Sequence, residues 1–177
     1  MAAGVEVRSA GADDAAAISA LAVGLEMLSD AEAAAMVATI GRPGVDGRDA
    51  GADARPDWLC AVTPGGRLVG AAYSAPDPVA DGVWTLYFLA VARPQQGRGV
   101  GTRLLDALET RLRARPGDPA TAVVVETSSL DGFSVARAFY RQRGYALVGQ
   151  VPDYYGPGDD KVIFWKPVGD RRPDHAP

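Results

Sequence analysis

The 177-residue sequence is poor in the residues on which metal sites and several catalytic devices depend. It has one cysteine, Cys60, and one histidine, His175, so no internal disulfide can form, and neither a metal cluster nor a histidine-based triad is expected. Only two lysines are present, Lys161 and Lys166, and neither follows a glycine-rich turn as a Walker loop requires. No apolar run approaches the roughly 18 residues of a membrane span, and the first residues lack a signal-peptide pattern. We therefore expect a cytoplasmic protein without a membrane contact, in which Cys60 is a small core residue.

Acidic and basic residues are unevenly distributed along the chain. The formal net charge is −4, so nucleic acid is not an expected partner. Residues 93–143 nevertheless carry nine arginines and five acids, a local charge of 9 − 5 = +4, which leaves −8 for the rest of the chain. This asymmetry suits an anionic ligand on one part of the protein and a cationic ligand on the other.

Residues 96–101 (QGRGVG) form a glycine-rich turn between two patterned segments. Upstream, residues 84–91 are apolar apart from Thr85, which predicts a buried strand. Downstream, leucines recur at helical spacing and predict an amphipathic helix ending near Ala114. A strand, a glycine turn and a helix N-terminus together present backbone N–H groups and a favourable dipole to an anion. The segment therefore predicts a phosphate site.

The glycine spacing distinguishes among phosphate-binding families. The pattern here is G-x-G-x-G, and residues 93–96 separate it from the strand, unlike the G-x-G-x-x-G fingerprint of dinucleotide-binding oxidoreductases, which are disfavoured. The segment fits Q/R-x-x-G-x-G/A through Gln96, Gly99 and Gly101. In this it resembles the acetyl-CoA pyrophosphate loop of the GNAT superfamily of N-acetyltransferases.

A second segment, about forty residues further on, strengthens this resemblance. The superfamily pattern N-x-x-A-x-x-[LF]-Y-x-x-x-G-[FY] is matched by five residues: Ala136, Phe139, Tyr140, Gly144 and Tyr145. Phe133 stands where asparagine is usual, and that asparagine commonly supports the pantetheine arm of the cofactor. The resemblance is specific over residues 83–167 and only architectural before them.

The remaining patterns complete an element order of β-α-α-β-β-β-α-β-α-β-β. Predicted strands cover residues 5–8, 58–63, 68–74, 84–91, 121–126, 145–151 and 161–166, and predicted helices cover 13–26, 29–40, a segment ending near 114 and the segment around Tyr140. Ser29 and Glu32 have the form of a capping box, and residues 41–56 are predicted to be a mobile loop. The resemblance implies an α/β fold, a twisted mixed sheet of about seven strands flanked by about four helices. We expect one acetyltransferase domain over 1–167 and a disordered tail over 168–177.

The resemblance also implies a set of cofactor-binding residues. The backbone of Leu89, Ala90 and Val91 would bind pantetheine and the thioester oxygen. The pyrophosphate would lie on the turn formed by Gln96, Gly97, Arg98, Gly99, Val100, Gly101 and Thr102, where side chains on Gly99 or Gly101 would push the phosphates away. Ser134 and Phe139 would contact the cofactor from the next helix. Acetyl-CoA is the expected co-substrate, and no metal is expected.

Two residues are candidates for proton transfer. Tyr140 is the candidate general acid, since a phenol with a pKa near 10 is protonated at neutral pH and can protonate a thiolate. The alternative is a packed aromatic residue without a catalytic role. Glu126 is the candidate base, acting through water, by resemblance to ribosomal-protein N-terminal acetyltransferases. That alignment needs an insertion of about two residues before Tyr140, and an exposed or ion-paired glutamate is the alternative.

The segment 152–160 (PDYYGPGDD) is predicted to be a loop between the last two strands. In the superfamily this loop often borders the acceptor, and its tyrosine pair resembles the acceptor loop of N-terminal peptide acetyltransferases. Tyr154, Tyr155 and Asp159 are therefore candidate substrate residues, suited to a cationic amine. A solvated turn without a binding role is the alternative.

The sequence as a whole predicts an acetyl-CoA-dependent N-acetyltransferase that acts on a primary amine of a small molecule by direct transfer. Two alternatives stay open, an acetyltransferase of peptide or protein N-termini and a non-catalytic CoA-binding module. The resemblance allows a homodimer, because many superfamily members dimerise. Nothing in the sequence identifies the acceptor.

Overall fold

The computed structural model describes residues 4–40, 56–116 and 119–169. Within these residues the chain forms seven strands and four α-helices in the predicted order. The strands are β1 Glu6–Ser9, β2 Asp57–Val62, β3 Leu68–Pro76, β4 Val83–Val91, β5 Ala122–Ser128, β6 Ala146–Gly156 and β7 Asp159–Pro167. The helices are α1 Ala15–Gly24, α2 Asp30–Val37, α3 Val100–Arg113 and α4 Ser134–Gln142.

The strands form one sheet in the order β1-β2-β3-β4-β5-β7-β6. Neighbouring strands are antiparallel, except that β4 and β5 are parallel and are connected by α3. This arrangement confirms the predicted α/β class with a mixed sheet of seven strands.

Helices cover both faces of the sheet. On one face lie α3 and α4; the predicted leucine stripe of α3 is fully buried there, and the largest core also takes in Trp84, Val125 and Phe164. On the other face lie α1 and α2, where Ile18, Ala22 and Ala33 pack against side chains of β2, β3 and β4. We call these the α3–α4 face and the α1–α2 face.

A β-bulge in β4 changes which residues face each side. Tyr73 of β3 pairs with Phe88 and Ser74 pairs with Leu86, so Tyr87 is an extra residue in β4. One extra residue reverses the alternation of side chains along a strand. Leu86 accordingly lies in the core under α3, whereas Phe88 lies in the core under α1 and α2.

The parallel strands β4 and β5 separate at the same point. Their pairing runs from Val83 with Ala122 to Leu86 with Val125, and no further pair joins them among the described residues. Beyond it, β4 continues to Val91 and β5 to Ser128. The two strand ends therefore enclose an opening in the sheet.

The largest local departure from prediction is the segment 152–160, which is mostly strand. β6 runs through to Gly156 and β7 starts at Asp159, so only two residues form the turn. The strand tolerates the polar segment because β6 is the exposed edge strand of the sheet. Its pairing is irregular between Val151 and Gly156, with Asp153 at a φ of +51°. An irregular strand of this kind has no simple alternation that a sequence pattern reveals.

The chain's first half also differs in detail from prediction. The helix predicted over 13–26 is a 3₁₀ turn over Ala12–Asp14 followed by α1, while the capping box of Ser29 and Glu32 forms as predicted. Val168 is buried, and its N–H donates to the carbonyl of Thr121 at 3.0 Å. Residues 41–55 and 170–177, which hold most of the predicted mobile loop and tail, lie outside the described residues. None of the helices in the described part is long and apolar enough to cross a bilayer.

Candidate active site

The opening between β4 and β5 is the centre of the candidate site. Leu89, Ala90 and Val91 form its β4 edge, opposite the last residues of β5. Because β4 is paired only with β3 along this stretch, part of its backbone faces the opening. Backbone groups in this position could bind the pantetheine arm and the thioester oxygen, the role predicted for these three residues.

The glycine-rich turn connects this edge to α3. Gly97 has a φ of +72° and Gly99 a φ of +83°, a left-handed conformation that glycine adopts without strain. The first helical hydrogen bond runs from the N–H of Arg103 to the carbonyl of Gly99 at 3.1 Å. The N–H groups of Val100, Gly101 and Thr102 therefore precede the helical ladder and have no partner within it. Arg98 is exposed on the same turn.

Gln96 braces the turn. Its side-chain Nε2 donates to the carbonyl of Val91 at 2.9 Å, which ties the turn to the end of β4. Gln96, which is predicted to bind the pyrophosphate, thus also stabilises the turn through its side chain.

Gly101 differs from the other glycines of the turn. Its φ is not positive, and an added Cβ would lie 3.6 Å from the ring of Phe139 and 3.7 Å from Val91, which is ordinary contact. Neither backbone conformation nor packing against protein atoms explains a glycine here. A ligand lying close to the helix N-terminus would explain it.

α4 places the predicted acid beside α3. Tyr140 is buried among aromatic rings, with centroid distances of 5.7 Å to Tyr145 and 5.9 Å to Phe164. This burial raises the pKa of Tyr140 well above its ordinary value, so the phenol is protonated at neutral pH. Ser134, the first residue of α4, is exposed, as is Phe133, which replaces the usual asparagine.

Glu126 has a partner that the sequence did not reveal. Its Oε2 lies 2.7 Å from Nζ of Lys161, whose side chain is only 10% exposed while that of Glu126 is 38% exposed. Burial alone would lower the pKa of Lys161, but the hydrogen bonds with Glu126 and Tyr154 outweigh it and raise the pKa. Lys161 is therefore a stable cation beside the predicted base.

The predicted acceptor residues gather around this ion pair. Nζ of Lys161 lies 3.6 Å from the ring centroid of Tyr154, and the rings of Tyr154 and Tyr155 meet edge to face at 5.0 Å. Burial and the nearby acids raise the pKa of Tyr155, against the opposing effect of Lys161. Asp159 accepts a 2.5 Å hydrogen bond from the Ser128 hydroxyl at the end of β5. The structure thus brings the predicted substrate residues together with Glu126.

Tyr140 and Glu126 lie on opposite faces of the sheet. Tyr140 packs in the same core as Val125, on the α3–α4 face. Successive residues of a strand point to opposite faces, so Glu126, which follows Val125, emerges on the α1–α2 face. The opening between β4 and β5 connects the two faces. Among the described residues, no group of three or more acidic, histidine or cysteine side chains is placed to hold a metal ion.

Comparison with protein families decides the assignment. The family model for the acetyltransferase (GNAT) family matches residues 31–145, well over half of the 177-residue chain. The chain belongs to the GNAT acetyltransferase family. The predicted family is therefore confirmed, and with it the prediction of an acetyltransferase. A comparison with curated protein sequences gives no significant match.

Solved structures share the fold of this acetyltransferase. A GNAT-family structure from Desulfovibrio desulfuricans superposes with a TM-score of 0.79 at 23% identity, covering 93% of this chain and 99% of its own. An aminoglycoside 6′-N-acetyltransferase complexed with coenzyme A gives 0.73 at 19% identity, covering 96% and 99%. The ribosomal-protein-S18-alanine N-acetyltransferase from Escherichia coli gives 0.68 at 18% identity, covering 97% and 99%. At these identities the likeness shows a shared fold, and the last two enzymes are named for different acceptors, an aminoglycoside and a ribosomal protein.

Sequence reasoning missed two features of the acetyltransferase's candidate site. Lys161 follows two aspartates in a polar segment, which is the pattern of a surface lysine, and only the register of β7 against β5 buries it beside Glu126. The sequence pattern predicts Tyr87 as one more residue of a buried strand, but the bulge leaves it 57% exposed at the start of the opening. Neither feature has a local sequence signal.

Proposed function

We propose that this acetyltransferase moves an acetyl group from acetyl-CoA to the primary amine of a small molecule, by direct attack while both substrates are bound. The observation that carries the proposal is the opening between β4 and β5. It has the glycine turn and Tyr140 on one face of the sheet and Glu126 on the other. A thioester held in the opening would be accessible to a leaving-group acid from one face and to an amine from the other.

The glycine turn suits the pyrophosphate of acetyl-CoA. The N–H groups of residues 100–102 and the dipole of the 14-residue helix α3 favour an anion at this point. Gly101 leaves room for the anion to approach the backbone closely. The backbone of Leu89–Val91, on the adjoining edge, would bind the pantetheine arm and polarise the thioester carbonyl by a hydrogen bond.

Tyr140 and Glu126 would divide the proton transfers between them. The phenol of Tyr140 is protonated at neutral pH and could donate its proton to the leaving thiolate. Glu126, on the acceptor face, would take the proton of the incoming ammonium through water, with Lys161 fixing the position of its carboxylate. No covalent acetyl-enzyme is needed, and Cys60 lies buried in β2, away from the opening.

A second candidate function is acetylation of a peptide or protein N-terminus. It is favoured by Tyr154 and Tyr155, which are 55% and 50% exposed beside Glu126 and would contact a chain entering from the β6–β7 turn. The reaction and the catalytic residues would be the same, so only acceptor assays separate the two functions.

The first test is ligand-dependent thermal stability. At about a hundredfold excess over the dissociation constant, acetyl-CoA or CoA should stabilise the protein by about 2.7 kcal/mol. For a chain of this size that shift is roughly 5–10 °C in Tm. NADH, which also carries a pyrophosphate, serves as the control. No shift with either CoA species would overturn the proposal.

The second test distinguishes the Tyr140 hydroxyl, as the proposed acid, from other hydroxyl groups of the aromatic cluster. Tyr140→Phe should lower kcat by about 10²- to 10⁴-fold, because it removes a general acid, while the shift in Tm with CoA stays. Tyr145→Phe is the matched control, since it removes a hydroxyl of the same aromatic cluster that bonds Glu109 at 3.1 Å. We expect the control to keep its kcat. Equal kcat in Tyr140→Phe and the wild type would remove Tyr140 from the mechanism.

A further inference from the structure

A row of aromatic side chains crosses the α1–α2 face of the sheet towards the opening. Trp58 of β2 pairs with Tyr73 of β3, and their rings stack at 4.5 Å with an interplanar angle of 19°. Tyr73 in turn stacks on Tyr87 of β4 at 5.7 Å and 29°. We call these three residues the aromatic row.

The two ends of the aromatic row have different surroundings. At the β2 end, Trp58 is 4% exposed in the core under α1 and α2, and its Nε1 donates to the hydroxyl of Thr39 at 3.0 Å. At the β4 end, Tyr87 is the bulged residue and is 57% exposed. The buried end fixes the row, and the open end presents a ring to solvent.

The open end and Glu126 both follow the last pair between β4 and β5. The last pair between β4 and β5 is Leu86 with Val125, so Tyr87 and Glu126 are the next residue on each strand. Tyr87 stacks on a ring of the α1–α2 face, and Glu126 emerges on the same face. The aromatic row therefore ends at the edge of the opening, on the same face of the sheet as the Glu126 carboxylate.

The net charge of the side chains around Glu126 suits a ligand with one ammonium group. Glu126, Asp159 and Lys161 share the acceptor side of the opening and carry two negative charges and one positive charge. The net charge of the three is thus −1, and the exposed ring of Tyr87 lies on the same face of the sheet. A single cation with an apolar or aromatic flank complements this arrangement, through charge at one end and ring contact at the other.

We infer that the aromatic row determines acceptor specificity, and that the acceptor is a primary monoamine whose ammonium group is flanked by an aromatic or bulky apolar group. The inference rests on the proposed function, which supplies the reaction. Tyr87 contacts the flank, and Tyr73 and Trp58 hold the Tyr87 ring in place. A polycationic, hydroxyl-rich amine leaves the Tyr87 ring uncovered and brings more positive charge than the site balances. Two kinds of acceptor have one ammonium group flanked by a ring: a small arylalkylamine, and a peptide N-terminus with an aromatic first residue.

The test compares four acceptors in the acetylation assay. 2-Phenylethylamine and a peptide with N-terminal phenylalanine carry the flanking ring, ethanolamine lacks it, and kanamycin is polycationic. We expect the highest kcat/KM for one of the two ring-bearing amines. The preferred one shows whether the natural acceptor is a small arylalkylamine or a peptide N-terminus. A kcat/KM for kanamycin or ethanolamine equal to that of both ring-bearing amines overturns the inference.

Variants of Tyr87 test the residue itself. Tyr87→Leu should raise the KM of the ring-bearing amine about tenfold, the effect of about 1.4 kcal/mol of lost ring contact, with the KM of acetyl-CoA unchanged. Tyr87→Phe keeps the ring and should restore the KM. Trp165→Leu, which removes a 36% exposed ring from β7, is the control and should behave as the wild type. An unchanged KM in Tyr87→Leu overturns the inference.

Calorimetry separates this inference from the proposed function. Titration of 2-phenylethylamine and of the peptide into the free protein measures the acceptor site without the reaction. Binding of one of them that is lost in Tyr87→Leu supports the aromatic row even if acetyl-CoA neither binds nor reacts. Stabilisation by CoA without binding or turnover of either ring-bearing amine overturns the inference and leaves the CoA site standing.

Discussion

Single side chains in this protein acquire their properties from burial and from one or two charged neighbours. Cys60 is fully buried in β2, with its Sγ 3.9 Å from a carboxylate oxygen of Asp14. Burial and the Asp14 charge raise the pKa of Cys60 to about 11, although Arg8 acts in the opposite direction. The thiol is therefore protonated, and unreactive, at neutral pH.

Alkylation rates test this interpretation of Cys60. At pH 8 a thiol with a pKa of about 11 has on the order of a hundredfold less thiolate than an ordinary cysteine. Iodoacetamide should therefore label the folded protein at least that much more slowly than the urea-unfolded protein. The rate should rise with pH up to the raised pKa, and Asp14→Asn should accelerate it, whereas Glu32→Gln should not. Equal rates in the folded and unfolded states would contradict the interpretation.

At the scale of elements, the glycines at the N-terminus of α3 are needed for two different reasons: backbone conformation and space for a ligand. Gly99 needs to be glycine because of its left-handed backbone, and the same holds for Gly97. Gly101 lies in helical conformation with room for a methyl group. Its role is therefore expected only when a ligand is bound, which makes the two positions separable by experiment.

Substitution of Gly99 and of Gly101 by alanine should have opposite effects on stability. Gly99→Ala should cost about 1–2 kcal/mol in the free energy of unfolding, the penalty of a left-handed residue with a Cβ. Gly101→Ala should preserve stability or add up to about 1 kcal/mol, since alanine is the better helix former, yet it should weaken acetyl-CoA binding. Urea unfolding and calorimetry measure the two quantities. Wild-type affinity in Gly101→Ala would show that the pyrophosphate does not approach this residue.

At the scale of the whole molecule, a buried ionic network joins α3 to the far half of the sheet. Glu109 of α3 is 3% exposed and accepts two 2.8 Å hydrogen bonds from Nζ of Lys166 in β7. It also accepts from Arg113, one turn further along α3, at 3.0 Å, and from the hydroxyl of Tyr145 at 3.1 Å. The network links α3 to β7 and to Tyr145, which follows α4.

Removal of the central carboxylate should destabilise the fold. Glu109→Ala leaves Lys166 and the Tyr145 hydroxyl without their partner and should lower the free energy of unfolding by about 3 kcal/mol. Asp106→Asn, on the same helix, is the control: it breaks an exposed ion pair with Arg143, and such pairs contribute at most about 1 kcal/mol. Urea unfolding measures both. A loss in Glu109→Ala no larger than in the control would show that the network contributes little.

The sequence by itself determined what depends on neighbours along the chain. Apolar periodicity gave the order of the elements, the Ser29 and Glu32 side chains gave the start of α2, and the glycine spacing around Gly99 gave the turn and the family. These features are local, because a helix period, a cap or a turn is fixed within a few residues.

Only the tertiary structure decided how the two faces of the site are composed. The Tyr87 bulge, the burial of Lys161 beside Glu126 and the extension of β6 through Tyr154 and Tyr155 all arise from strand register. Register joins residues distant in sequence, and a shift of one residue moves a side chain to the other face of the sheet. A strand pattern alone therefore shows that Glu126 follows Val125, but not that it pairs with Lys161 or shares a face of the sheet with the aromatic row.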